Sequence, residues 1–380
     1  MERGIETQCL HLNEKDKQME QWGAISYPIY QTATFARAEV GEGSGYDYSR
    51  LQNPTREQLE KMVAQLEGGI DALAFASGMA AISAMMELFK PGDHLIVDED
   101  LYGGCVRLLQ NISKKNGIIF TSINCSRESI KEHITKNTKA VFVETPTNPM
   151  MNIVDISELV VTAHARNVKV IVDNTFLTPY FQNPLKLGAD IVVHSGTKYL
   201  GGHNDTLAGM LVAADEQIAE SLRFIIKTTG AGLAPFDSWL MIRGIKTLPI
   251  RMERAQENAK IIARWLEMRE NVKKVLYPGL ETHTEYAIIK KQSRGFGAMI
   301  TFEVYNKETA LEILKKVKLI QFAESLGGTE TLLTYPITQT HADVPSNELK
   351  RRGVTDKILR LSVGIEAVSD LIDDLEKAGV

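Results

Sequence analysis

The chain has 380 residues, 44% of them hydrophobic and 24% charged, with a formal net charge of −5. That length can hold two domains sharing a large interface, and the composition is that of an ordinary globular protein. The mild acidity and scattered Lys and Arg give no footprint for nucleic acid or an anionic membrane surface, and no run of about 18 apolar residues marks a membrane span.

Residues 1–50 lack strong periodicity and carry Gly23, Pro28, Gly41, Gly43 and Gly45. They read as an extended arm that packs on something else, and a partner subunit is the expected surface. The opening Met-Glu-Arg-Gly-Ile-Glu has no apolar signal core. Cys9, Cys105 and Cys125 are few, odd in number and without metal-ligand spacing. A reducing, cytoplasmic setting with no metal site is the expectation.

Asn53-Pro54 predicts a helix start, with Leu59, Met62, Val63 and Leu66 at helical spacing and Gly68-Gly69 as the stop. Ala72-Leu-Ala-Phe-Ala then reads as a strand, followed by a Ser77-Gly78 turn and a helix. Amides at such a helix start can bind an anion, and Ser77 serves equally well as a plain cap. No G-x-G-x-x-G or P-loop occurs, which argues against dinucleotides and nucleoside triphosphates. Further strand–helix units follow at His94-Leu-Ile-Val, Gly117-Ile-Ile-Phe and Ala140-Val-Phe-Val-Glu144.

The next two units carry chemistry. Lys169-Val-Ile-Val-Asp173 is an apolar strand ending in an acid, and Asp190-Ile-Val-Val-His-Ser195-Gly-Thr197-Lys198 is another ending in hydroxyls and a lysine. One strand–helix unit separates them, so neighbouring parallel strands are expected. Their C-terminal edge is where open α/β sheets place ligands. Asp173 could cap a helix, bind a metal or pair with a protonated pyridine nitrogen. Taken with the hydroxyls and a lysine that can form a Schiff base, the third choice makes pyridoxal phosphate the sharper reading.

Ala208-Gly-Met-Leu-Val-Ala-Ala reads as a strand returning beneath the site, and residues 235–270 as a helical connector. Strands near 298–304 and 358–363 among amphipathic helices make the remainder α+β. The expected organisation is an arm (1–50), a large α/β unit with a mostly parallel sheet (51–245) and a smaller α+β unit (246–380).

Ser195-Gly-Thr-Lys198-Tyr-Leu-Gly-Gly-His, Glu144-Thr-Pro-Thr-Asn-Pro149, Asp173-Asn-Thr-Phe, Tyr48-Ser-Arg50 with Asn53-Pro-Thr-Arg56, and Glu324-Ser-Leu-Gly-Gly328 together resemble the pyridoxal-phosphate enzymes of Cys/Met metabolism. That family includes cystathionine γ-synthase, cystathionine γ- and β-lyases, methionine γ-lyase and O-acetylhomoserine sulfhydrylase. The resemblance implies a type I, aspartate-aminotransferase-like fold and a homotetramer built as a dimer of dimers. It implies that Lys198 takes up the cofactor aldehyde, that Asp173 pairs with the pyridine nitrogen and stays ionised, and that Tyr102 stacks on the ring. It places the phosphate on the Gly78 and Met79 amides and the Ser195 and Thr197 hydroxyls, with Tyr48 and Arg50 added from a neighbouring subunit. It assigns the substrate α-carboxylate to Arg360, assisted by Asn148 and Ser325. His203, His341 and Cys105 are read as structural.

Methionine γ-lyases resemble Tyr-Gly-Cys after the stacking tyrosine, where this chain has Gly104. Glu324 resembles the acid of γ-synthases and γ-lyases, and Arg107 the arginine near a distal carboxylate. Ala234-Pro-Phe-Asp-Ser-Trp239 and Leu333-Thr-Tyr-Pro336-Ile-Thr-Gln-Thr-His341 resemble bacterial γ-synthases that also act as O-acetylhomoserine thiol-lyases. Lys227 departs from an asparagine common in relatives. The expected substrates are O-acyl-homoserine, cysteine and cystathionine, and the expected reaction is γ-replacement with cysteine or sulfide. A γ-lyase or β-lyase is the alternative, and a non-catalytic cofactor-binding regulator the reading from another class.

Overall fold

A computed structural model describes residues 3–13, 23–342, 344 and 346–380. Seven strands form the first sheet: β1 (Asp71–Phe75), β2 (His94–Asp98), β3 (Ile119–Ile123), β4 (Thr138–Glu144), β5 (Lys169–Asp173), β6 (Ile191–Ser195) and β7 (Gly209–Ala213). Their order is β1-β7-β6-β5-β4-β2-β3, and only β7 runs antiparallel to its neighbours. The apolar runs lack polar alternation because helices cover both faces, and every residue of β2 and β7 is buried. The expected neighbours β5 and β6 pair in parallel, with Asp173 opposite Val193.

Four helices near the start of the chain matter for the site: α1 (Ile5–Gln8), α2 (Pro54–Glu67), α3 (Gly78–Met86) and α4 (Gly103–Leu108). α2 begins and ends as its sequence signals require. The Asn53 side chain accepts from Thr55 N, and Gly68 takes the left-handed conformation at φ 77°. Ser77 caps α3 by accepting from Ala80 N at 3.1 Å. The helix Leu248–Glu267 leads to a second sheet of β8 (Val272–Leu276), β9 (Met299–Val304), β10 (Gln321–Phe322), β11 (Leu332–Thr334) and β12 (Ile358–Ser362). Its order is β10-β11-β12-β9-β8, antiparallel except for β10 with β11.

Residues 3–13 pack on their own chain. Cys9 and Leu12 are buried in the core, and Asn13 N donates to Gln65 Oε1 of α2 at 2.7 Å. The segment 23–50 behaves differently: Ile25 is 97% exposed and Val40 fully so, leaving apolar side chains uncovered. The fold thus sets two sheets side by side, with their loops facing each other over the ends of β4, β5 and β6.

Candidate active site

Those loops enclose a cavity of about 200 Å³, walled by Ser77, Gly78, Met79, Tyr102, Asn148, Asp173, Ser195, Thr197 and Lys198 from the first sheet's side. Glu324, Ser325 and Arg360 close it from the second. Residues scattered over most of the sequence therefore meet at one sheet edge, as open α/β sheets arrange their ligand sites.

Lys198 Nζ donates to Ser325 Oγ at 2.9 Å. Burial, then the charge of Arg360, lowers the lysine to about 8. Arg360 lies on β12 and is fully buried. Its Nη1 donates to Asn148 Oδ1 at 2.8 Å, and Nη2 to the Ser325 carbonyl at 2.8 Å and Thr334 Oγ1 at 3.1 Å. Among the described residues nothing meets its Nε. Ser325 is bound at both its hydroxyl and its carbonyl and sits at φ 104°, a region costly for a residue with a Cβ. Gly327, at φ 78°, lets the same loop lie on the Lys198–Tyr199 backbone, where a Cβ would come within 2.7 Å of Tyr199 N.

Asp173 Oδ1 accepts from Thr175 N at 3.0 Å and Thr175 Oγ1 at 2.5 Å. Thr175 Oγ1 in turn accepts from Ser195 N at 2.9 Å, tying the end of β5 to that of β6. Burial pushes the Asp173 carboxyl above its usual range, and the two Thr175 hydrogen bonds oppose that shift. The expected ionised Asp173 therefore depends on the cation of a pyridinium beside it.

Tyr102, whose phenol burial pushes up, donates its backbone N–H to Glu144 Oε2 at 3.1 Å. Glu144 is fully buried next to Asp173 across the β4–β5 pair, and desolvation raises its carboxyl well above the usual range. His341 is also fully buried behind the site. Burial, followed by the charges of Arg360 and Arg352, lowers it to about 3.

Three predicted residues lie elsewhere on this chain. Tyr48 and Arg50 sit on the exposed segment outside their own cavity, with the Arg50 guanidinium 5.5 Å from the Tyr48 ring centre. Arg50 also donates to the backbone carbonyl of Lys227. Arg107 is exposed and outside the cavity wall, although its charge reaches Tyr102. Glu324 stands between the cavity and a wider groove of about 990 Å³. Asp205, Asp237, Glu324 and Glu330 line that groove, with no Lys or Arg among its described lining residues.

The donor set suits pyridoxal phosphate. The first-turn amides of α3 have no intrahelical acceptors and stand beside the Ser195 and Thr197 hydroxyls, as a phosphate requires. A cavity carboxylate suits a ring nitrogen, and a lysine of lowered pKa suits an aldehyde. Sequence reasoning passed over Thr175 and the hydrogen bond of Glu144. The Asp-x-Thr spacing was the available signal for Thr175, since an Asp side chain commonly accepts from the backbone two residues on.

The chain is 46% identical to cystathionine γ-synthase/O-acetylhomoserine (thiol)-lyase of Bacillus subtilis over 379 residues, covering 100% of this chain and 97% of that protein. It is also 46% identical to cystathionine β-lyase of Coxiella burnetii over 378 residues, covering 98% of this chain and 97% of the relative. The solved cystathionine γ-lyase of Lactobacillus plantarum, complexed with L-serine, superposes with a TM-score of 0.94 at 41% identity, covering 99% of this chain and 98% of that one. Residues 6–379 match the family of Cys/Met metabolism PLP-dependent enzymes. With that match across the chain and a cavity whose donors suit the cofactor, this protein belongs to the PLP-dependent enzymes of Cys/Met metabolism.

Proposed function

We propose that the protein catalyses γ-replacement on an O-acyl-homoserine, with cysteine or sulfide as the incoming nucleophile. The observation that carries this reading is the acidic groove running through Glu324 into the cavity of Lys198, Ser325 and Arg360. Its carboxylates favour a cationic distal group, such as the ammonium of cysteine or cystathionine.

The geometry supports the following residue roles. Gly78, Met79, Ser195 and Thr197 would hold the phosphate, Asp173 the ring nitrogen, and Tyr102 the ring face. When bound, pyridoxal phosphate supplies an electron sink that makes the protons next to its point of attachment acidic. Arg360, whose Nε has no partner among the described residues, receives the substrate α-carboxylate. Asn148 and Ser325 hold the guanidinium in place. Lys198, lowered to about 8, takes the α-proton as the free amine, loses it to solvent and then takes a β-proton, while Ser325 Oγ steers its amine. The acyl group leaves as its carboxylate and the incoming sulfur takes its place at the γ-carbon. The Tyr102 hydroxyl, kept protonated by burial, serves as auxiliary proton donor. Glu324, shared by the cavity and the groove, orients the distal end of the substrate.

Tyr48 and Arg50 complete the phosphate seat of a neighbouring copy in a cytoplasmic homotetramer. Their exposure and their distance from their own cavity support that assignment. The same acidic groove suits cystathionine as a substrate, so γ-elimination is the second reading. Mass spectrometry of the products decides between them. Cystathionine or homocysteine from O-acetylhomoserine plus cysteine or sulfide supports the synthase. Rapid 2-oxobutanoate and cysteine from cystathionine alone supports the γ-lyase, whereas pyruvate and homocysteine would indicate a β-lyase. No turnover in either mixture would point to another thioether substrate or to the cofactor-binding regulator.

A further inference from the structure

The helix α2 ends on Glu67, and that residue breaks two local rules. An acid in the last helical turn opposes the helix dipole, and α2 has no basic residue in that turn to offset it. Glu67 is also fully buried, where a carboxyl is costly unless its oxygens are met. Its partners account for the placement. Oε1 accepts from His194 Nε2 at 2.7 Å and from Asn174 Nδ2 at 3.0 Å, and both of those side chains are fully buried too. Among the described residues Glu67 is the sole hydrogen-bond partner of the His194 ring, since nothing meets Nδ1.

Both partners sit between residues of the catalytic cavity. On β6, Val193 and Ser195 line that cavity, and strand alternation turns His194 to the opposite face. At the end of β5, Asp173 and Thr175 line it, and Asn174 between them reaches back to Glu67. Asn174 Nδ2 also donates to the Gln182 carbonyl at 2.8 Å, and Gln182 Nε2 donates to the Thr145 carbonyl at 3.2 Å, just past the end of β4. One carboxyl behind the sheet therefore holds the strand ends that carry Asp173 and Ser195. An electrostatic link runs the same way. Burial raises the Asp173 carboxyl, and the Thr175 hydrogen bonds and then the charge of His194 oppose that shift.

We propose that Glu67 is a positioning residue for the cofactor's ring nitrogen, fixing Asp173 from the rear of the sheet through His194 and Asn174. Glu67 is not on the cavity wall, so it acts only through these neighbours. The inference rests on the assignment of Asp173 to the ring nitrogen.

The test loads the holoenzyme with pyridoxal phosphate carrying nitrogen-15 in the ring and records the ring-nitrogen resonance well below each variant's Tm. That resonance reports whether the nitrogen carries a proton, which a helix anchor with no link to Asp173 would not change. The parent should give the protonated position. Glu67→Ala and His194→Gln should move the resonance part of the way to the unprotonated position, and Asp173→Asn further. Cofactor affinity should fall about 10-fold or more in Glu67→Ala, the loss expected when hydrogen bonds to a charged group are removed. His194→Gln keeps a donor for Glu67 while removing the ring, so it reads the proposal even if Glu67→Ala fails to fold. A resonance that moves in Asp173→Asn but stays at the parent position in every folded variant of Glu67 and His194 would overturn the proposal. A resonance unmoved by Asp173→Asn would instead sink the ring-nitrogen assignment, and this inference with it.

Discussion

Lys198 Nζ donates a 2.9 Å hydrogen bond to Ser325 Oγ, joining the strand-end lysine of the first sheet to a loop of the second. The acceptor residue is held at φ 104° to make that contact. Ser325→Ala therefore lowers kcat by about 10-fold, the effect of roughly 1.4 kcal/mol in the barrier, and changes KM less. Ser325→Gly loses the same hydrogen bond but fits the backbone, so its Tm is at or above that of Ser325→Ala. A glycine variant melting well below the alanine variant would contradict the strain argument.

The lowered Lys198 sets a pH dependence. Burial, then Arg360, brings it from 10.5 to about 8. Below about 8 the amine is protonated in both folded and unfolded chains, and the fold bears the full cost of the buried charge. Between about 8 and 10.5 the folded amine is neutral while the unfolded one keeps its proton, so this group adds stability as pH rises through that window. The same neutral amine is needed to capture an aldehyde. Covalent uptake of pyridoxal phosphate by cofactor-free protein, followed by absorbance, should accelerate with pH with a midpoint near 8, and a midpoint near 10.5 would refute the assignment.

Glu144 positions Tyr102 through the backbone, and burial followed by the charge of Asp173 pushes its carboxyl well above the usual range. Glu144→Gln preserves the acceptor for the Tyr102 N–H, so cofactor affinity stays near that of the parent. Glu144→Ala strands the Tyr102 N–H and weakens affinity by about 10-fold or more. Fluorescence titration with the cofactor checks this, and equal damage by glutamine and alanine would remove Glu144 from the role.

Gly104 is a packing requirement. A Cβ there would come within 2.6 Å of the Tyr102 ring and 3.0 Å of Met79 Sδ. Gly104→Cys, the residue of methionine γ-lyases at this point, must therefore push the Tyr102 ring aside. The expected outcome is a changed visible circular dichroism of the bound cofactor and a lower kcat. An unaltered spectrum and rate would show that the ring moves freely.

The middle of the first sheet was legible because β2, β4, β5 and β6 are each apolar runs with a polar terminus, Asp173 ending β5 and Lys198 following the end of β6. Arg360 was not legible from pattern alone. In Leu359-Arg-Leu-Ser the alternation reads as a half-exposed strand, yet the arginine is fully buried, held by Asn148, Ser325 and Thr334 from distant loops. Only the family resemblance pointed to it. Strands β8, β10 and β11 escaped notice for local reasons. β8 carries the exposed Lys273 and Lys274, while β10 and β11 have two and three residues, too few for a period. The partnership of Glu144 with Tyr102 depends on packing between strand ends, which no single segment encodes.

The central claim is that Lys198 removes both the α- and a β-proton on the way to chemistry at the γ-carbon. The most direct measurement is turnover of O-acetylhomoserine with cysteine in deuterium oxide, with the cystathionine product mapped by NMR. The account predicts deuterium at both Cα and Cβ of the homoserine-derived half. Deuterium at Cα alone, with Cβ fully protonated, would contradict it.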